Sequence, residues 1–320
     1  MITVATVTLN PALDRFYWVE KLQRDPETPL TRARRSRALP GGKGINVALF
    51  LARLGVEALA LGFAAGATGQ TVLGKLREAG VFTDFIWLPA GETRTDVIIL
   101  EGEQRAAPVW VDAPGPEVPE VAWERFLKRY QRALQRVSYV VISGSLPPGL
   151  PETAYAELTE LANAQGVRAV LNAAGEPLER ALEARPFLAK PDLRERPIFL
   201  GADVRDAAAR EEAGERALAA GAEAVLISHE ITGDLLLTPT EAWDFVAEGL
   251  TIRNIVGAQD ALVGGIVYRL LAGEGLAEAT RFGMAAASAV AAGTAIADLD
   301  LERINDYLPR IRVEQLKLER

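Results

Sequence analysis

The chain has 320 residues, 49% of them hydrophobic and 24% charged, with a formal net charge of −8, no cysteine and a single histidine, His229. This is a globular composition, and it excludes disulfides, thiolate catalysis, cysteine-based metal or iron–sulfur centres and multi-histidine metal sites. An acidic chain without a basic stripe also speaks against nucleic acid as a partner. The opening segment MITVATVTLN has neither a basic start nor a long apolar run and does not read as a signal peptide. The Ala-rich stretch 283–297 is shorter than the roughly 20 residues a membrane span needs. It predicts a buried helix, and the composition fits a reducing, cytoplasmic location.

In chain order, the β-branched run 2–8 predicts a first strand. The segment 11–40, rich in Arg, Pro and aromatics, predicts short exposed strands. A helix follows over 45–54, opened by Gly41-Gly42-Lys43-Gly44 and closed by Gly55. A strand at 58–63, a helix at 70–79 ended by Gly80, and two short strands at 95–100 and 107–112 come next. The pattern then becomes regular, with helices 121–136, 152–164, 176–184 and 206–220 leading into strands 139–143, 168–172, 187–190 and 224–228. This alternation predicts an α/β fold with a parallel sheet covered by helices on both faces, and the end of the chain reads as mostly helical. The strand-rich inserts 11–39 and 90–113 interrupt the rhythm and predict a small second sheet, acting as a lid or as a dimer surface. Phe16, Trp18, Val109 and Val111 are candidates for an apolar face on it.

The most informative segment is Asn254-Ile255-Val256-Gly257-Ala258-Gln259-Asp260, a small-residue loop running into an apolar helix expected at 262–271. Free N–H groups at a helix start bind anions, and Gly257 and Ala258 let a phosphate approach the backbone. Asp260 then stands where a carboxylate can take the proton of a hydroxyl that attacks a phosphoryl group, although an ordinary N-cap aspartate has the same pattern. The second segment, Pro40-Gly41-Gly42-Lys43-Gly44-Ile45-Asn46, is neither a P-loop nor a GxGxxG loop. Lys43 suits a phosphate and Asn46 a sugar hydroxyl; a tight turn with a solvated lysine is the plain alternative. For His229 the plain reading, a satisfied or solvent-facing side chain, is preferred to a catalytic one.

Taken in order, Thr8-Leu9-Asn10-Pro11-Ala12-Leu13-Asp14-Arg15, GGKGINVA at 41–48, Glu92-Thr93-Arg94-Thr95, Gly115-Pro116-Glu117, Ser143-Gly144-Ser145-Leu146-Pro147-Pro148-Gly149, Lys190-Pro191-Asp192-Leu193-Arg194-Glu195 and the loop 257–260 resemble the PfkB (ribokinase-like) family of carbohydrate kinases. The likeness is nearest to its branch containing 1-phosphofructokinase and tagatose-6-phosphate kinase. It implies a three-layer α/β/α core (1–10, 40–89 and 114–320) with a mostly parallel sheet, a β-lid (11–39 and 90–113), and a homodimer formed through that lid. It implies ATP and Mg²⁺, and phosphoryl transfer to a phosphorylated ketohexose. Fructose 1-phosphate is the first choice, with tagatose 6-phosphate and fructose 6-phosphate as alternatives.

By the same resemblance Asp260 is the catalytic base, and Gly257, Ala258 and Gln259 complete its anion hole. Asp14, Gly41, Gly42, Lys43 and Asn46 grip the sugar, while Arg94 and Ser145 lie near its existing phosphate, where an Arg fork matches phosphate oxygens. Lys190, Asp192, Ser228, Gly233 and Gly257 line the nucleotide site, and Glu195 acts on the metal indirectly, through water or phosphate. Four departures fall on the nucleotide side: Gln259 and Glu230 replace glycines, Asp192 replaces an asparagine, and Asn172-Ala173-Ala174-Gly175 replaces a DTSG-like segment. If position 259 needs a positive φ, its side chain costs roughly 1–2 kcal/mol. The clustering keeps a second reading open, a relative that binds a sugar phosphate as sensor or partner subunit without efficient transfer.

Overall fold

In a computed structural model the described residues are 2–27, 29–102, 108–194, 197–229, 232–253, 255–293 and 295–317. Glu195, Glu230, Asn254 and Ala107 lie outside them. The chain begins β1 (Val4–Thr8), β2 (Ala12–Val19), β3 (Ala33–Gly41), α1 (Lys43–Arg53), β4 (Ala58–Ala64), α2 (Gly66–Glu78), β5 (Phe82–Trp87), β6 (Arg94–Glu101) and β7 (Val109–Val111). It continues α3 (Glu120–Leu134), β8 (Tyr139–Ser143), α4 (Ala154–Ala164), β9 (Arg168–Ala173), α5 (Gly175–Ala181), β10 (Leu188–Pro191), β11 (Ile198–Phe199), β12 (Ala202–Asp203) and α6 (Ala207–Ala220). It ends β13 (Val225–His229), β14 (Gly233–Leu237), β15 (Ala242–Ala247), α7 (Ala258–Leu271), α8 (Leu276–Ala291), α9 (Leu301–Asn305) and β16 (Ile311–Leu316).

One large sheet has the order β16-β15-β14-β13-β10-β9-β8-β1-β4-β5. From β5 to β13 all pairings are parallel; β14, β15 and β16 add an antiparallel edge. Alternate side chains of each central strand enter opposite layers, as the strand period requires. Val4 and Val141 pack with α1, α2, α7 and α8, whereas Ala5, Val7, Val140 and Ile142 pack with α3 to α6. The sheet is therefore buried on both faces, which is why its strands read as continuous Val/Ile/Ala/Leu runs.

The expected α/β/α architecture is what forms, with corrections at its margins. Strand β5 and the antiparallel edge add to the expected pattern, and the end of the chain, expected to be helical, finishes in β16. That edge strand is short and mostly exposed, and its alternation of Ile311 and Val313 with Arg312 and Glu314 carries a weak signal. Helix α8 spans Leu276–Ala291 rather than 283–297 and stops before Gly293, whose φ is +110°. No helix among the described residues is long and apolar enough to cross a membrane.

The inserts form a separate four-stranded sheet, β3-β2-β6-β7, with β2 and β6 parallel. The four candidate apolar residues do not share one face. Phe16 pairs with Ile98, which faces Trp110, whereas Val109 and Val111 face Ile99 and Val97, one residue out of phase. Phe16 and Trp18 stack with centroids 5.8 Å apart on the inner face, and Val111 is 57% exposed on the outer one.

Candidate active site

The site gathers at the C-terminal ends of the parallel strands, where open α/β sheets bind ligands. Strand β1 ends at Thr8 and passes through Asn10 directly into the small sheet, so one short link places Asp14 over the mouth of the core. The glycines of 41–44 make this approach possible. A side chain at Gly41 would overlap the Asp14 carboxylate, and Gly42, the N-cap of α1, has φ +108°, a region that disfavours other residues. Helix α1 then presents Lys43 and Asn46 at its first turn.

Helix α7 starts at Ala258, four residues before the expected start, with Gly257 as its N-cap at φ +80°. The left-handed position is therefore Gly257. Gln259 sits in the helical first turn, so the strain considered for it is absent. Asp260, also in that turn, is only 6% exposed and accepts a hydrogen bond from Asn46 Nδ2 at 2.8 Å. Burial pushes its carboxyl above the usual range, opposed by Arg194, the Asn46 bond and Lys43.

A polar cavity joins Asp14, Gly42, Lys43, Asn46, Arg94, Ser145, Arg194, Gly257 and Asp260. Arg94 donates from Nη1 to Asp96 at 2.9–3.0 Å and from Nε to the Asn10 carbonyl at 3.2 Å. Asn10 donates in turn to Ser145 Oγ at 3.2 Å, so Arg94 and Ser145 are held by one residue. Gly115 leaves room for that asparagine. Asp14 lies directly across the β2–β6 pair from Asp96. Burial and the Asp96 charge push Asp14 up to about 7, with Arg94 opposing; burial likewise raises Asp96 to about 6.

A second, mainly apolar cavity of about 320 Å³ adjoins the helix start, with Leu250, Ile255, Met284 and Ala287 on its wall. On its polar side Lys190, 2% exposed, donates to Ser228 Oγ at 3.2 Å, and Ser228 donates to Asp234 at 2.6 Å. Burial lowers the Lys190 ammonium and raises the Asp234 carboxyl, each opposed by the other's charge. Gln259 lines this cavity and brings Oε1 to 3.3 Å from Ser228 Oγ. Asp192 is paired with both Lys43 and Arg194; burial works against its charge, but the two cations hold its carboxyl well below the usual range. Gly233 lies beside the cavity rather than on its wall, because the His229 ring crosses it, and a Cβ there would overlap that ring. His229 Nε2 is 2.7 Å from Asp244 Oδ1, so its polar edge is satisfied.

Apart from Gly41 and Gly233, which line neither, and Glu195, which lies outside the described residues, the sequence-derived residues thus separate into two adjoining cavities meeting at the start of α7, with Gly257 and Asp260 on one and Ala258 and Gln259 on the other. Asn10, Asp96, Trp110, Asp112, Arg194 and Asp234 also belong to these walls, and the sequence reading gives them no role. For Asp96 a signal exists, an acid two residues before Ile98 and so on the same buried face of β6, RTDVIILE.

The pfkB family carbohydrate kinase model matches residues 8–299. This chain is a member of that family. A curated relative, 1-phosphofructokinase of Bacillus subtilis, is 33% identical over 315 residues, covering 98% of this kinase and 100% of the relative. A 1-phosphofructokinase of Xanthomonas campestris is 34% identical over 270 residues, 83% of each chain. Among solved structures, a Thermotoga maritima protein described as a possible 1-phosphofructokinase superposes with TM-score 0.91 at 33% identity, covering 98% of this kinase and 100% of that chain. Phosphofructokinase-2 of Escherichia coli in complex with substrates and products gives 0.85 at 26% identity, with 96% and 99% covered. The protein is accordingly an ATP-dependent sugar kinase of ribokinase-like fold, which selects the enzymatic reading over the sensor reading.

Proposed function

We propose that this kinase transfers the γ-phosphoryl of ATP to a free hydroxyl of fructose 1-phosphate, giving fructose 1,6-bisphosphate. The observation that carries the reading is Asp260, a buried carboxylate at the start of α7, oriented by Asn46 on the wall of a polar cavity that adjoins the apolar one. The ketohexose phosphate occupies the polar cavity and ATP the other. Asp260 accepts the hydroxyl proton as the oxygen attacks, a role suited to a carboxyl whose affinity for protons is raised. The first-turn amides of α7, with the positive end of its dipole, stabilise the charge on the transferring group. Asp14 accepts hydrogen bonds from sugar hydroxyls. Arg94 and Ser145, joined through Asn10, receive the phosphate already on the sugar. Lys190 and Ser228 face the nucleotide. Residues 11–39 and 90–113 close over the acceptor as a lid and exclude water.

The described residues contain no group of three His, Asp or Glu side chains able to hold a metal ion, and Asp192 is already neutralised by Lys43 and Arg194. Glu195, which the resemblance assigns to the metal, lies outside the described residues, and Mg²⁺ would come to the site with the nucleotide phosphates. When bound it neutralises phosphate charge. The expected homodimer uses the outer lid face around Val111 and the half-buried Tyr17, Val97 and Ile99, and sedimentation velocity tests it.

The deciding experiment is a coupled ADP-release assay with fructose 1-phosphate, fructose 6-phosphate and tagatose 6-phosphate. The highest kcat/KM is expected with fructose 1-phosphate. Preference for another member replaces the substrate, and no ADP release with any of them overturns the reading.

A further inference from the structure

Arg194 is the one described residue that lines both cavities. Two of its nitrogens, Nε and Nη2, donate to different oxygens of Asp192 at 3.0 Å each. This fork occupies one edge of a guanidinium that carries five donors. The remaining nitrogen, Nη1, makes no hydrogen bond to the described residues. The guanidinium carbon lies 5.4 Å from the ring centroid of Trp110, a lid residue on the acceptor side. The side chain keeps 43% of its surface exposed, so its open edge is reachable from the cavities. It is thus held along one edge and covered by a lid residue.

Anchoring Asp192 does not by itself account for it. Lys43 pairs with the same carboxylate, so the trio Lys43, Arg194 and Asp192 keeps one net positive charge. Lys190 reaches only the nucleotide cavity and is committed to Ser228, while Arg94 reaches only the acceptor cavity and is committed to Asp96. Arg194 is also the foremost charge holding the Asp260 carboxyl down against burial.

We propose that Arg194 is a further catalytic residue, whose free guanidinium edge binds the γ-phosphoryl group as it passes from one cavity to the other; the proposal rests on the kinase reading above. In the transfer the acceptor oxygen bonds to the γ-phosphorus, and the bond to the β–γ bridging oxygen breaks with its electron pair leaving on ADP. The hydroxyl proton goes to Asp260. Charge spread over the three equatorial oxygens meets the α7 amides and the Nη1 edge of Arg194. Lysine cannot replace it fully, because a single ammonium cannot hold Asp192 through a two-point fork and also present a second edge.

The test uses the full chain with Arg194→Gln and Arg194→Lys, coupled ADP release with fructose 1-phosphate, and calorimetry with ADP plus aluminium fluoride, a planar phosphoryl mimic. In Arg194→Gln, kcat is expected to fall about 10²–10³-fold, with both KM values within about threefold. Binding of the mimic is expected to weaken by a similar factor, and added guanidinium ion to restore part of the rate. Arg194→Lys falls between the two proteins, and serves for the mimic binding should the glutamine variant melt early. A loss confined to KM, a kcat within about fivefold of wild type, or unchanged mimic binding overturns the role. A wild-type protein that releases no ADP fails at the kinase reading instead, whereas an active wild type with an unimpaired Arg194→Gln rejects this proposal alone.

Discussion

Replacing Asp14 by asparagine removes a carboxylate that the fold holds at a cost. Asp14 is 6% exposed and lies across the β2–β6 pair from Asp96, with Asp112 and Asp260 adding like charge and Arg94 alone opposing. Its ionisation accordingly moves from 3.8 to about 7. In the unfolded chain the group ionises near its ordinary value, so below about pH 4 both states are protonated and folding bears no penalty. Between about pH 4 and 7 the folded state retains a proton that the unfolded state has lost, and stability falls as pH rises. Above pH 7 the full penalty, on the order of 4 kcal/mol for such a shift, is present. Asparagine is neutral throughout. Urea denaturation is therefore expected to find Asp14→Asn more stable than wild type by about 2–4 kcal/mol at pH 8, with the gap closing towards pH 4. The same change exchanges a charged acceptor of sugar hydroxyls for a neutral one, worth about 1.5–3 kcal/mol, so KM for fructose 1-phosphate rises by about 10–100-fold. A variant no more stable than wild type at pH 8, or a gap independent of pH, refutes the buried-carboxylate argument.

Asp260→Asn is expected to lower kcat by about 10²–10⁴-fold while calorimetry finds fructose 1-phosphate bound nearly as before; equal turnover removes Asp260 from proton transfer. Gln259→Gly relieves no backbone strain, because position 259 is helical. It should leave kcat within about twofold and cost about 0.5–1 kcal/mol in urea denaturation, whereas a tenfold gain would mean that the glutamine obstructs the phosphate. Gly257→Ala forces a side chain into φ +80° against Ile296. It is expected to cost about 1–2 kcal/mol of stability, and Gly257→Asn less; equal stability of the alanine variant would place the left-handed requirement elsewhere.

Much of this architecture is written in local pattern, and the exceptions share a cause. The central strands are buried on both faces and announce themselves as unbroken apolar runs. The edge strands β5 and β16 and the antiparallel strands β14 and β15 alternate or carry acids such as Asp84, Asp234 and Asp244, so apolar continuity does not find them. The start of α7 is hidden in the sequence because Gly257-Ala258-Gln259-Asp260 has loop composition; the helix is imposed by its cap and by packing against α1 and α8. In the site, Asp260, Asn46 and the glycine loop are legible because small residues and a lone acid before an apolar run mark a helix start open to an anion. The pairing of Lys43 with Asp192 is not, since it depends on how separate segments of the chain meet in the fold, whereas Arg94 and Asp96, two apart on β6, share a face by the strand period alone.

Charge balance accounts for the compatibility of transfer with those nucleotide-side departures that fall on described residues. An aspartate at 192 adds a negative charge to the wall of the cavity proposed for the nucleotide, which alone would repel phosphates. Two cations, Lys43 and Arg194, converge on it, leaving the cluster net positive. Gln259 occupies a helical position where a side chain incurs no backbone strain, and its amide oxygen meets a hydroxyl rather than bare cavity. Asn172, next to last in β9, accepts through its carbonyl from the Gly144 N–H at 3.1 Å, a bond that any residue there makes, while its side-chain Nδ2 is buried without a hydrogen-bond partner among the described residues. At positions 192 and 259, then, each substitution is matched by neighbours that offset its penalty: two cations at the aspartate, a helical backbone and a hydroxyl at the glutamine.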